Sequence, residues 1–95
     1  MWIDIWILDR KKENSIEVQR GGNDTTNLNI LQDLMKNNNE WKKNVLVYSG
    51  CDWSVKATKK NVLYYLESIG EKNLANEILR KYNDKDIFEI WASDS

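Results

Sequence analysis

The sequence predicts an α+β fold: a two-layer domain whose four-stranded mixed sheet carries three helices mainly on one face, in the order β-β-α-β-α-α-β. Three observations lead to this prediction. Apolar residues alternate with period two in residues 2–8 and 15–20, and they recur at helical spacing farther along the chain. Gly21-Gly22 and Gly70 interrupt these patterns. Ninety-five residues suffice for one core, so residues 1–95 are interpreted as a single domain.

The chain begins with a predicted β-hairpin. Residues 2–8 read as a strand, because isoleucines alternate with a second set of side chains; one face carries Ile3, Ile5 and Ile7, and the other carries Trp2, Asp4, Trp6 and Leu8. Residues 15–20 form the second strand, with Ile16 and Val18 on one face. A polar stretch of five or six residues separates the two strands, as in a hairpin.

The middle of the chain predicts one helix and one strand. Gly21-Gly22-Asn23-Asp24 is a turn, after which Asp24 or Thr25 caps a helix over residues 25–38. Its apolar stripe is Leu28, Leu31, Leu34 and Met35. Residues 45–48 are short, apolar and β-branched, which favours a central strand.

The last segment predicts two helices and a strand. Residues 49–53 are expected to be a loop, and Ser54 to cap a helix over 55–69 that stops at Gly70. A shorter helix follows at 71–82, then a strand at 87–91, with frayed residues after it. The connection between the last two strands is long enough for a right-handed parallel crossover, hence the mixed sheet.

The composition excludes several classes of function. The chain has no histidine and one cysteine, Cys51, so it offers no Cys/His metal site, no cysteine–histidine nucleophile and no internal disulfide. It shows no signal peptide and no apolar stretch of bilayer length. We therefore expect a cytoplasmic protein that is not an enzyme, with no metal, no cofactor and no membrane partner.

Three features could still carry chemistry. Cys51 precedes a predicted helix, but a thiol-phosphatase loop needs an arginine six positions later, where this chain has Ala57. The Gly21-Gly22 turn lacks the lysine and the hydroxyl residue of a phosphate-binding loop. Asp84 and Asp86 are spaced to share a solvated turn. A small enzyme that uses Cys51 stays the weakest alternative.

A DNA-binding regulator is a stronger alternative. Residues 55–82 read as two helices around a short turn, similar to a helix-turn-helix pair. Against this, the formal net charge is −1 and the pI is near 5.4. The outward residues of the second helix are mixed in charge: Lys72, Asn73, Asn76, Glu77, Arg80 and Lys81. A nucleic-acid partner is therefore disfavoured, because phosphate binding needs a basic surface.

Five tryptophans in so short a chain indicate a surface that binds another protein. If the isoleucines of the first strand face the helices, Trp2, Trp6 and Leu8 form an apolar patch on the open side of the sheet. We predict a small, acidic, non-catalytic protein of the inhibitor or immunity type, which neutralises a toxin or a host enzyme. The predicted partner-binding residues are Asp4, Trp6, Asp52 and Trp53. The remaining alternative is a homodimer with Trp2 and Trp6 at its two-fold axis.

Overall fold

Five strands and three helices make up the described part of the chain, which in this computed structural model comprises residues 1–9, 11, 13–41, 46–49 (backbone) and 52–95. The α+β class and the three helices are confirmed. The elements are β1 (Ile3–Asp9), β2 (Asn14–Arg20), α1 (Thr26–Asn37), β3 (Leu46–Ser49), β4 (Asp52–Thr58), α2 (Lys59–Ser68), α3 (Lys72–Lys81) and β5 (Ile87–Asp94).

The sheet order is β2-β1-β5-β4-β3, and each neighbouring pair is antiparallel. This differs from the predicted four-stranded mixed sheet. The additional strand is β4, which pairs antiparallel with β3. After the two helices that follow β4, the chain enters β5, which runs antiparallel to β4, so β4 and β5 are not joined by a parallel crossover. As a result β3 lies at the edge of the sheet and not at its centre.

The sequence predicts a loop and the start of a helix over residues 52–58, and the structure corrects both. They alternate as a strand should, with Val55 and Ala57 buried and Lys56 exposed between them. The helix begins after Thr58, whose Oγ1 accepts a hydrogen bond from the Asn61 amide at 3.1 Å. Asn61 Oδ1 accepts in return from the Thr58 amide at 3.3 Å. This capping box replaces the predicted Ser54 cap.

The three helices cover one face of the sheet. Their buried side chains form a single hydrophobic cluster with the strand residues that point to that face, so the isoleucine stripe of β1 is interior as predicted. The strands supply Ile3, Ile5, Ile7, Val55, Ala57, Phe88, Ile90 and Ala92; the helices supply Leu28, Leu31, Val62, Tyr65, Leu66, Ala75 and Ile78; Trp41, between α1 and β3, is 1 % exposed.

The ends of the chain are paired with each other. β5 continues to Asp94, which lies opposite Ile3, and the Trp2 amide donates to the Ser95 carbonyl at 2.6 Å. The predicted fraying after residue 91 is therefore wrong, because residues 92–94 of β5 are paired with β1. Of the earlier predictions, those for Val45, Gly50 and Cys51 lie outside the described residues.

Candidate functional site

The second face of the sheet, which we call the open face, has no helix of the described chain packed on it. The strand register shows which side chains lie on this face, and these side chains form rows across the strands. The first row is Arg20, Asp4, Ser93 and Asp52; the second is Glu17, Trp6, Trp91 and Ser54; the third is Ser15, Leu8, Glu89 and Lys56.

A stacked pair of tryptophans lies at the centre of the open face. Trp6 and Trp91 are directly opposite each other on β1 and β5, with ring centroids 5.9 Å apart and planes inclined by 10°. Trp91 Nε1 donates a hydrogen bond to Glu89 Oε2 at 3.2 Å. Both rings are half-buried. They cover part of each other and leave the remaining aromatic surface to solvent.

Carboxylates surround the tryptophan pair. Among the described residues of this face, Asp4, Glu17, Asp52 and Glu89 outnumber the two cations, Arg20 and Lys56. Three of them have partners within the chain: Glu17 pairs with Arg20 at 2.9 Å, Asp4 Oδ1 accepts from the Gly21 amide at 2.8 Å, and Glu89 accepts from Trp91. The open face thus combines an aromatic centre with an excess of negative charge.

Three of the four predicted partner-binding residues share the open face, and the fourth does not. Asp4, Trp6 and Asp52 lie in its first two rows. Trp53 lies opposite Ala92 on β5 and packs against the hydrophobic cluster under the helices. Because Trp53 belongs to a strand and not to a loop, its side chain points away from its neighbour Asp52.

Trp91 is the aromatic residue of the open face that the predicted contact set lacked. The alternation of residues 87–91 places Trp91 on the same face as Glu89. Its position beside Trp6 depends on the pairing of β1 with β5, which are the first and last strands of the chain. Alternation within one strand carries no signal for that pairing.

Trp2 extends the aromatic surface at one end of the sheet and is 54 % exposed. Its ring lies over Gly21, where a Cβ atom would overlap the indole. Gly21 also has φ +70°, a backbone conformation that favours glycine. The Gly21 amide donates to Asp4, so this turn holds the first row of the open face. The hydrogen bond of that amide is therefore already made within the chain, which argues against a phosphate-binding role for this turn.

Two concave regions lie near these surfaces. One, of about 380 Å³, opens beside Trp6 between β1 and β2 and is lined in part by Asp4, Glu17 and Arg20. A groove of about 520 Å³ lies on the helix side, where Tyr64 is 51 % and Leu79 is 58 % exposed. The two lysines of that groove have partners within the chain, since Lys59 pairs with Asp84 at 3.6 Å and Lys60 with Glu40 at 3.0 Å.

The outward face of α3 is mixed in charge, as the sequence indicated. Lys81 Nζ lies 2.6 Å from Glu77 Oε1, and the hydrogen bond and charge of that lysine lower the pKa of Glu77. Lys72 and Arg80 are exposed. This face offers a DNA backbone fewer unmatched cations than the lysine and arginine count suggests.

The described residues show no group of three histidine, cysteine, aspartate or glutamate side chains placed to hold a metal ion. Asp86 is buried and accepts from the Asn83 amide at 2.8 Å, which closes the turn before β5. Asp84 is 98 % exposed and pairs with Lys59, so the two aspartates do not form a shared site. Within the same residues, each helix is too short or too polar to cross a bilayer.

Comparison with known protein families, with characterised proteins and with solved structures gives no match to this chain. Within the described residues, the open face is the surface that indicates a function: a stacked tryptophan pair lies among four carboxylates, on a side of the sheet that the described helices do not cover.

Proposed function

We propose that this chain is a small non-catalytic protein-binding domain of the inhibitor type, which covers a partner protein, a toxin or a host enzyme, with its open face. The observation that carries the proposal is the stacked, half-buried pair of Trp6 and Trp91 on a sheet face that none of the described helices covers. Tryptophan is among the residues most enriched at the energetic centres of protein interfaces.

The chemistry of the face suits a protein partner. Burial of the exposed indole surface would stabilise a complex, and the rings lose little conformational freedom because they already pack on each other. Asp4, Asp52 and Glu17 border the rings and would accelerate association with a basic surface. A basic surface is common where an enzyme binds anionic substrates, so covering it would block the enzyme.

Charge also separates this proposal from the homodimer. A two-fold contact through the open face would bring the same carboxylate excess together from both copies. Like charges placed against each other at an interface cost several kcal/mol, whereas a basic partner converts the same groups into favourable pairs. The open face therefore fits a different, basic protein better than a second copy of itself.

The test begins with capture of partners from the native cell by the tagged protein, followed by affinity measurement with the purified partner. We expect Trp6→Ala to weaken binding by more than about 1 kcal/mol while circular dichroism shows an intact fold. Trp53→Ala is the matched control, because Trp53 packs against the hydrophobic cluster on the other face. It should lower the melting temperature and leave the affinity of the folded protein unchanged.

The proposal is wrong if both variants bind the partner as tightly as the unaltered protein does. Sedimentation at several concentrations detects the homodimer, and a salt-dependent shift of duplex DNA detects the regulator. If either assay is positive and Trp6→Ala does not weaken partner binding, the function is that of the homodimer or of the DNA-binding regulator.

A further inference from the structure

A small residue separates two acidic residues in the first row of the open face. Ser93 of β5 lies opposite Asp4 on one side and opposite Asp52 on the other. All three side chains are half-buried. Asp4 and Asp52 are two strand spacings apart, which puts their Cα atoms about 10 Å from each other. The short serine side chain leaves the space between the two carboxylates open.

The tryptophan pair borders this space. Trp6 follows Asp4 by two residues along β1, and Trp91 precedes Ser93 by two residues along β5, so both rings belong to the next row of the same face. The two rings supply apolar surface beside this space, against which the stem of a long basic side chain can pack. The carboxylates on the two sides of Ser93 would favour a positive group at the end of that stem.

Among the described residues, no ion pair places a lysine or an arginine on Asp4 or Asp52, and Arg20, the cation of this row, pairs with Glu17 instead. The Asp4 carboxylate accepts one hydrogen bond, from the Gly21 amide, and the Asp52 carboxylate forms no hydrogen bond or ion pair with the side chains and backbone groups that the structure describes. The cavity on the other side of Trp6 differs, because Glu17 is already paired there with Arg20 at 2.9 Å. An incoming cation therefore gains more charge pairing over Ser93 than beside Glu17.

We infer that the open face docks a basic segment of the partner protein, with one arginine side chain seated over Ser93 between Asp4 and Asp52. A planar guanidinium presents donors on two sides and can reach both carboxylates, whereas an ammonium is a single compact charge. This inference rests on the proposed function, since it names the chemistry of the partner at the same surface.

The probe is a blocked pentapeptide with one arginine between glycines, titrated into the labelled full-length protein and followed by NMR. Peptides with lysine or with citrulline, the neutral analogue of arginine, are the comparators. We expect saturable shifts at the Ser93 amide and the Trp91 indole N–H. The affinity should fall about three- to tenfold when either carboxylate is neutralised, in Asp4→Asn or Asp52→Asn, which corresponds to roughly 1 kcal/mol.

Two serine substitutions locate the arginine on the face. Ser93→Phe fills the space between Asp4 and Asp52 and should abolish the shifts, while Ser15→Phe places the same ring in the cavity beside Glu17 and should not. Asp33→Asn, an exposed change on α1, controls for net charge. Correct folding of each variant is read from the dispersion of its spectrum.

Three results would overturn the inference: equal shifts with citrulline, a stronger effect of Ser15→Phe than of Ser93→Phe, or no shift at the highest soluble peptide concentration. The proposed function is judged separately by partner affinity. A partner that depends on Trp6 and ignores Asp4, Asp52 and Ser93 would refute the arginine seat and leave the protein-binding function standing.

Discussion

Replacement of Lys59 by methionine should destabilise the domain much more than the same change at its neighbour Lys60. The Lys59 side chain is 9 % exposed. Its Nζ donates to the Tyr82 carbonyl at 2.7 Å and to the Leu79 carbonyl at 3.2 Å, at the C-terminal end of α3. Those carbonyls carry the negative end of the helix dipole, and no further turn of helix follows to pair them.

The size of the effect follows from these contacts. A hydrogen bond from a charged group contributes about 1.5–3 kcal/mol. The pair with exposed Asp84, 3.6 Å away, adds little. Lys59→Met keeps the apolar stem and removes the ammonium, so we expect a loss of roughly 2–4 kcal/mol in the free energy of unfolding. In a domain of this size that lowers the melting temperature by about 10 °C or more.

Lys60→Met is the matched control. Lys60 is the next residue of α2, its side chain is 80 % exposed, and it pairs with Glu40 at 3.0 Å. An exposed ion pair of this kind is worth about 0–1 kcal/mol. Urea denaturation of both variants, monitored by circular dichroism, measures the two free energies. Equal losses, or a loss below about 0.5 kcal/mol for Lys59→Met, would refute the capping role of the buried ammonium.

Two further predictions concern the edges of the open face and the hydrophobic cluster. Gly21→Ala should cost about 1–3 kcal/mol and alter the fluorescence of Trp2, because both the φ of +70° and the indole oppose a Cβ atom. Gly22→Ala, at φ +81° with open space around it, should lose a similar stability without changing the fluorescence. If the two variants have the same fluorescence spectrum, the contact between Trp2 and Gly21 is contradicted. Burial raises the pKa of Tyr65 above its ordinary value of 10.0, and its hydroxyl donates to the Asn27 carbonyl at 2.9 Å. The neutral phenol therefore stabilises the fold below pH 10, and this stability is lost at higher pH as the unfolded phenol ionises. Tyr65→Phe should flatten that alkaline loss, and a Tyr65 absorbance titration near pH 10 in the folded protein would disprove the assignment.

Local patterns were enough to predict the hairpin, the three helices and the isoleucine stripe. Ile3, Ile5 and Ile7 alternate with polar or aromatic neighbours, and such a period is decided within a few residues of the chain. Gly70 ends α2 at φ +79° for an equally local reason. Residues 52–58 carry the same kind of signal, but a short apolar alternation before a helix resembles the first turn of that helix, so the loop and helix predicted there are wrong.

The candidate site could be predicted in part. Asp4 and Trp6 belong to one strand, so alternation alone places them on one face, opposite the isoleucines. The predicted contact set includes both Asp52 and Trp53, which are adjacent in the chain, but adjacent residues of a strand point to opposite faces. In the tertiary structure, Asp52 therefore lies on the same face as Trp6, and Trp53 lies on the face that the helices cover.

By itself, the sequence determined the class of the fold, the position of most elements and the absence of histidine chemistry, because these depend on composition and short-range periodicity. The tertiary structure decided that β5 lies between β1 and β4, and with it that Trp91 stacks on Trp6 and that Ser93 separates Asp4 from Asp52. Strand order and register between distant segments are settled by packing of the whole sheet under its helices, which no local stretch of residues encodes.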